Sequence, residues 1–539
     1  MRLATSPASC SRSTRARPTP SRWADELGHD QRNHFHEPTK AGTVTTASID
    51  IDAPHLDAVY LGGKWVNPVA GATVDVVMPS TGRVVATAAD PGIEEADAAV
   101  AAARKAFDEG PWPRMSVDER IAMCTRFAEE LESRMDQLNR LWAIESGFPV
   151  SHGEMINTGA ASAIWRAALA NAPKVPWKEK RTGGGSEVVI SHDPIGAVLA
   201  ILTYNGPVPE IGMKIIPGLL AGCVFVAKAA PDSQLTARVI AECAEAAGFP
   251  AGVVNVMPAG METSRHLVAH PGVDMVHMTG GVSVGVDVVT QTAPRLARTV
   301  LELGGKSPAI ILPDAVLDEV IPTLVPAAIG GVGQICVALS RILIPRSRYD
   351  EIVARLAVEF AQYKVGDPLD PATVLGPLGN ERALVRVESM LERAIADGAN
   401  VAAGGRRPPE FNGEGFYFEP TLLRDVDPDS FIAQEEVFGP IIVAIAYDDV
   451  EDAITIANNT RFGLAASVYS ADATAAFAVA QCVEAGNLAI NLAGVCLTEP
   501  FGGIKQSGWG REGGIEGILE FTHIRQFLLS GASQANRER

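Results

Sequence analysis

Two side chains in this sequence have the types and the setting for covalent catalysis. Cys336 closes the small, turn-prone stretch Gly333-Gln334-Ile335-Cys336, and Glu302 lies upstream within Leu301-Glu302-Leu303-Gly304-Gly305-Lys306. A free thiol is only partly ionised at neutral pH yet is intrinsically nucleophilic. A carboxylate that takes a proton from it, or from a water, therefore makes two-step chemistry feasible. Val300, Leu301 and Leu303 imply partial burial of Glu302, which raises a carboxyl pKa toward the range a general base needs. Each residue also has a bland reading. A lone cysteine is most often a small buried hydrophobe, and a glutamate beside paired glycines is often a surface or capping carboxylate.

Four further segments accompany these two along the chain: Tyr204-Asn205-Gly206-Pro207, Thr279-Gly280-Gly281, Glu435-Glu436-Val437-Phe438-Gly439-Pro440 and Pro500-Phe501-Gly502-Gly503. Together the six resemble the aldehyde dehydrogenase superfamily, in its NAD(P)-dependent, non-acylating branch, from about Tyr60 to about Leu529. The resemblance implies that Cys336 attacks the aldehyde carbon, giving a thiohemiacetal that loses hydride to the nicotinamide and becomes a thioester. It implies Asn205 and the backbone N–H of Cys336 as the oxyanion hole, where preorganised donors meet charge as it develops. Glu302 would activate the water that hydrolyses the thioester, with Lys214 and Glu512 as a proton relay.

By the same resemblance Gly280 and Gly285 belong to the nucleotide-binding turn and helix, where glycine lets the backbone approach a pyrophosphate. Lys228 would contact the adenosine ribose, Glu436 the nicotinamide ribose and Phe438 the nicotinamide, with Thr203 and Leu303 as further cofactor contacts. Pro231 stands where a ribose-binding carboxylate usually follows the lysine, and Asp232 beside it would repel a 2′-phosphate if it points inward. NAD is favoured, with NADP as the alternative. Gly206, Glu210, Met213, Ile335 and Val337 fall at the positions of the aldehyde tunnel. Gly206 replaces a residue that is usually aromatic, which widens the tunnel and favours a bulky or hydrophobic aldehyde.

The elements that must position these residues are α/β in pattern. At 539 residues, two or three domains are expected. From 197 onward short β-rich runs (197–202, 223–227, 253–256) alternate with helical stretches (211–220, 235–247), which argues for a parallel sheet of Rossmann type. A second α/β region has strands at 310–312 and 341–344 and a helix at 348–363. Earlier in the chain, 60–66 reads as a hairpin, 74–78 as a strand, 94–107 as a helix, and 120–138 as an amphipathic helix behind the capping pattern at Ser116. The resemblance adds a small β bridging and oligomerisation element. The expected division is a disordered extension at 1–54, a cofactor domain at 55–175 and 195–304, a catalytic domain at 305–505, and the bridging element at 176–194 and 506–539.

A net charge of −19 disfavours nucleic acid or an anionic membrane as the main partner, because both require concentrated Lys and Arg. Apolar runs such as 195–202 are far shorter than the roughly 20 residues that span a bilayer. Seven cysteines without CxxC spacing signal neither zinc nor a redox pair and suit a reducing, cytoplasmic setting. The expected partners are a small aldehyde and further copies of the chain, as homodimer or homotetramer. Two other readings compete: a CoA-acylating dehydrogenase, which commonly lacks the base at Glu302, and a catalytically silent structural homologue, which the joint presence of Cys336, Glu302 and Asn205 opposes.

Overall fold

The computed structural model describes residues 51–184 and 186–529. The extension expected at 1–54 lies outside the described residues except for 51–54. These form a loop in which the Asp52 carbonyl accepts a hydrogen bond from Gln137 Nε2 at 2.8 Å, so the packed chain begins slightly earlier than expected.

Ala197–Ile201, Val224–Ala229 and Val254–Pro258 are buried at every position, the pattern of strands covered on both faces. With Met275–Thr279 and Arg298–Glu302 they form the parallel centre of an eight-stranded sheet. Its spatial order is Arg298–Glu302, Met275–Thr279, Ala197–Ile201, Val224–Ala229, Val254–Pro258. The chain builds outward from Ala197–Ile201 on one side, then crosses back and builds on the other. The carboxyl ends of Ala197–Ile201 and Met275–Thr279 therefore flank a topological switch point, the crevice where open α/β sheets bind ligands. Thr203, Tyr204 and Asn205 leave one of these ends, and Gly280 and Gly281 leave the other.

Antiparallel strands close both edges. The hairpin Val59–Leu61 and Lys64–Val66 sits beside Val254–Pro258, and Gly508–Trp509 sits beside Arg298–Glu302. Within the segment 506–539 expected to bridge, Gly508–Trp509 thus joins the large sheet, where its pairing satisfies the edge backbone of Leu301 and Glu302. Residues 303–307 then lead from Glu302 into Pro308–Ile311, in a second sheet of seven strands. Its order is Asn400–Ala403, Thr421–Arg424, Ile441–Tyr447, Arg341–Pro345, Pro308–Ile311, Ala465–Tyr469, Asn487–Ile490, parallel except for the first pair. A third sheet pairs Lys178–Gly183, Ser186–Pro194 and Thr522–Leu529 antiparallel and leaves Ile524 and Leu528 each 70% exposed.

Helices follow the sequence pattern with two departures. Ser116 caps Val117–Ser133, its Oγ accepting from the Glu119 N–H at 3.2 Å. The amphipathic run does not continue to 138, because Arg134 leaves helical geometry to bond Glu242 at 2.9 Å and Met135–Ser146 starts afresh. The stretch expected as one helix at 211–220 is a π-helical Ile211–Ile215 followed by Ile216–Ala221. Pro217, just past the junction, has no N–H to continue the preceding ladder. No helix among the described residues is long and apolar enough to cross a membrane.

Candidate active site

Glu302 ends its strand beneath the cofactor crevice, its carbonyl accepting from the Gly280 N–H at 3.0 Å. Its side chain is 3% exposed, and neither carboxyl oxygen has a hydrogen-bond partner among the described residues. Burial, and next the charge of Glu512, push its pKa well above the usual carboxylate range, while Lys214 and Arg511 pull the other way.

Beside it lies a fully buried polar group. Lys214 Nζ donates to Glu512 Oε1 and to Thr279 Oγ1, each at 2.7 Å, and stands 3.9 Å from Glu210 Oε1. His277 Nε2 is 2.9 Å from the same Glu512 oxygen. His277 and Thr279 share a face of Met275–Thr279 by the period of two, so one strand supplies a neighbour to each of Glu512 and Lys214. Burial opposes the charge on Lys214, but Glu210 and Glu512 outweigh it and its pKa rises. Burial likewise opposes ionisation of Glu512, and Lys214 and His277 overcome it, holding that carboxyl well below its ordinary range. The two carboxyls are therefore pushed in opposite directions, Glu512 toward its anion and Glu302 toward its acid form.

Cys336 sits in a loop just before Arg341–Pro345 and is a free, partly exposed cysteine with an enclosed sulfur. Burial, then Glu436, Glu302, Glu512 and Glu210, push the thiol up to about 12. Cys336 is thereby held toward its protonated thiol, so attack by it would need a proton acceptor. Gly305 admits its loop, since a Cβ there would lie 2.5 Å from the Cys336 carbonyl oxygen, and Gly304 leaves room for the Glu436 carboxylate. Asn205 Nδ2 donates to the carbonyl of Gln334 at 3.0 Å. A primary amide has two N–H groups, so one is anchored and the other is free. The backbone N–H of Cys336 has no acceptor among the described residues, which leaves two donors for a developing oxyanion.

The Cys336 side chain also meets apolar neighbours. Ile164, Met213, Leu464 and Phe501 form a buried group against which Cys336, Val337, Val495 and Leu497 pack. A Cβ at Gly206 meets nothing within 4 Å, so the space a side chain there would enter is open. Two of the residues expected in the tunnel have identifiable neighbours. Ile335 packs toward Gly331, and Glu210 turns its carboxylate to Thr203, accepting from the N–H and from Oγ1 at 2.9 Å each. Glu210 therefore belongs with the buried charges.

On the crevice side, Gly281 opens the helix Val282–Thr292 without a side-chain cap, and open space lies where its Cβ would be. The first-turn N–H groups can therefore face an anion such as a pyrophosphate. Gly285 lets that helix close on Leu303, since a Cβ there would stand 2.7 Å from Leu303 Cδ1. Lys228 is next to last in Val224–Ala229, and burial pushes its pKa down to about 8 while Asp232 and Glu210 resist. Glu436 Oε1 accepts from the Gly305 N–H at 3.0 Å, and Phe438, at φ +53°, stands edge-on to Tyr204. Asp232 is held by Asn380 Nδ2 at 3.2 Å and by Arg382 at 3.7 Å.

Compared with known proteins, the chain matches the aldehyde dehydrogenase family over residues 65–527. This chain belongs to that family. Among its curated relatives is a geranial dehydrogenase of Castellaniella defragrans, 37% identical over 89% of this chain and 100% of that one. Among solved structures, an aldehyde dehydrogenase of Mycobacterium tuberculosis complexed with NAD+ is 41% identical with a TM-score of 0.87, covering 89% of this chain and 99% of that one. A mutant of aldehyde dehydrogenase C from Pseudomonas syringae, complexed with NAD+ and octanal, is 35% identical with a TM-score of 0.85, covering 89% and 98%.

Within this aldehyde dehydrogenase, residues to which sequence reasoning assigned no role stand beside those it named. His277 carries the one imidazole against Glu512, and its signal was a histidine in an otherwise apolar strand run. Tyr204 and Gln334 lie within Tyr204-Asn205-Gly206-Pro207 and Gly333-Gln334-Ile335-Cys336, where the neighbouring Asn205 and Cys336 carry the chemical signal. Ile164, Leu464, Val495 and Leu497 come from distant segments and carry no local signal.

Proposed function

We propose that this protein oxidises a bulky, apolar aldehyde to its carboxylic acid with NAD+ through covalent intermediates on Cys336. The observation that carries the reading is the two-sided surrounding of that thiol. One side presents an unpartnered, buried Glu302, and the other presents aliphatic and aromatic side chains.

Lys228, Gly280, Gly281 and Glu436 suit the cofactor, and the four carboxylates around Cys336 suit a cationic ring beside it. When bound, NAD+ supplies the hydride acceptor of the oxidation. Cys336 Sγ bonds to the carbonyl carbon as the C=O π electrons move to oxygen, where the free Asn205 N–H and the Cys336 N–H meet the charge. The thiol proton goes to a base within the buried carboxylate group. After oxidation leaves an acyl thioester, Glu302 takes a proton from water as the water oxygen bonds to the acyl carbon. The C–S bond breaks and the thiolate departs. Glu302 suits this step because burial and the neighbouring Glu512 raise its pKa and so its strength as a base. The Asp232 carboxylate near Lys228 disfavours a 2′-phosphate and supports NAD+ over NADP+. The exposed Ile524 and Leu528 support assembly of copies through the third sheet, as homodimer or homotetramer.

Steady-state assays with geranial, octanal, betaine aldehyde and acetaldehyde, with and without CoA, test the reading. Each buried methylene contributes about 0.8 kcal/mol, roughly fourfold, so kcat/KM should climb steeply from acetaldehyde to octanal. Free acid should form without CoA. A preference for the cationic betaine aldehyde, or a CoA requirement, would refute it.

A further inference from the structure

Gln334, two residues before the nucleophile, is 1% exposed and receives two bonds from the single turn that carries Asn205. Its backbone carbonyl accepts from Asn205 Nδ2 at 3.0 Å, and its side-chain Oε1 accepts from the Tyr204 hydroxyl at 2.9 Å. The same Oε1 accepts from the backbone N–H of Gly379 at 3.0 Å. The turn is pinned on its other sides as well. Trp142 Nε1 donates to the Tyr204 carbonyl at 2.8 Å, and Glu210 clasps Thr203 through both its N–H and its hydroxyl. The Tyr204 ring lies edge-on to Phe438 and occupies the space beside Gly379, where a Cβ would come within 2.6 Å of Tyr204 Cε2.

We infer that Tyr204 is a positioning residue for the oxyanion hole, acting through Gln334. The inference rests on the covalent reading above. The two oxyanion donors belong to different segments: Asn205 follows a strand of the eight-stranded sheet, and the Cys336 N–H precedes a strand of the seven-stranded one. Both reach Gln334, one by a hydrogen bond and one through the chain. The Tyr204 hydroxyl fixes the side chain of Gln334 and so the orientation of the carbonyl that anchors Asn205. A ring without the hydroxyl would fill the same space and leave the Gln334 side chain held by the Gly379 N–H and by its own longer Nε2 bond, at 3.4 Å, to the Gly331 carbonyl within the same loop. Asn205 would then lose the fixed anchor that turns its second N–H toward the substrate.

The test is a double-mutant cycle on the full-length enzyme, read by the pre-steady-state burst of NADH with octanal and supported by melting and NAD+-binding measurements. Tyr204→Phe should slow the burst on the order of fivefold, the range of one neutral hydrogen bond, with NAD+ affinity retained. In an Asn205→Ala background the same change should slow it less than about twofold, whereas any cost in melting temperature should appear equally in both backgrounds. Gln334→Met should show the same non-additivity with Asn205→Ala. Equal fold-losses in the two backgrounds, or an unslowed burst in a folded Tyr204→Phe enzyme whose Asn205→Ala counterpart is slowed, would overturn the inference alone. An unslowed Asn205→Ala enzyme would overturn both it and the oxyanion role assigned to Asn205.

Discussion

The two sides of Cys336 are built on opposite principles. Toward Glu302, five polar residues from four segments (Glu302, Lys214, Glu512, His277 and Thr279) are buried or half-buried, and each acts on another's charge or hydrogen bonding. Toward Ile164, Met213, Leu464 and Phe501, the surface is apolar and its members interact only by contact. In the first group a single change alters the charge state of its neighbours, because low-dielectric surroundings make each partner expensive to lose. In the second, a change alters volume and little else. The charged side should therefore govern whether any aldehyde is turned over, and the apolar side which one.

The sharpest break of that contrast is at the thiol itself. Cys336→Ala should abolish dehydrogenation of every aldehyde while NAD+ titration still saturates, and residual turnover would show that another group is the nucleophile. Glu302→Gln should next cut steady-state turnover by about 10²- to 10⁴-fold, uniformly across a substrate panel. In the wild-type enzyme the ionised carboxylate is the active form and its pKa is raised, so kcat should fall as pH drops through a limb above the ordinary carboxylate range. That limb should vanish in Glu302→Gln; if it persists, a different group titrates. Lys214→Met removes the buried ammonium from among Glu210, Glu302 and Glu512, and should lower stability by about 3–5 kcal/mol, measured by denaturant titration. An unchanged midpoint would mean that the carboxylates do not depend on it.

On the apolar side the effects shrink and become selective. Gly206→Phe enters open space beside the turn and should penalise geranial over acetaldehyde by about 1–3 kcal/mol in kcat/KM. Equal losses for both would remove Gly206 from the passage. Ile164→Val should do least, changing the octanal to acetaldehyde ratio by no more than about fourfold, one methylene of contact.

The same contrast explains what could be read from sequence. Cys336 and Asn205 lie in glycine-containing turns and Glu302 ends a strand just before Gly304 and Gly305, so each is marked by glycines next to it in the chain and its motif is visible in a linear string. The parallel strands were visible too, because burial on both faces writes continuous apolar runs. His277 was not assigned, since its partner Glu512 lies 235 residues away and only strand register places it there. That the Glu210 carboxylate clasps Thr203 was not legible, because an apolar neighbourhood in sequence does not reveal which way a carboxylate turns. The passage itself was the least legible part, since Ile164, Leu464, Val495 and Leu497 have the sequence character of ordinary core. The break at Arg134 rested on a partner, Glu242, more than one hundred residues downstream.

The central claim is that Cys336 carries the acyl group and Glu302 releases it. Its most direct test is intact-protein and peptide mass spectrometry of Glu302→Gln after mixing with NAD+ and octanal. The account predicts a burst of NADH near one equivalent per active site, together with an octanoyl increment on the peptide containing Cys336. A full burst with no acyl group on that peptide, or acylation of another residue, would contradict it.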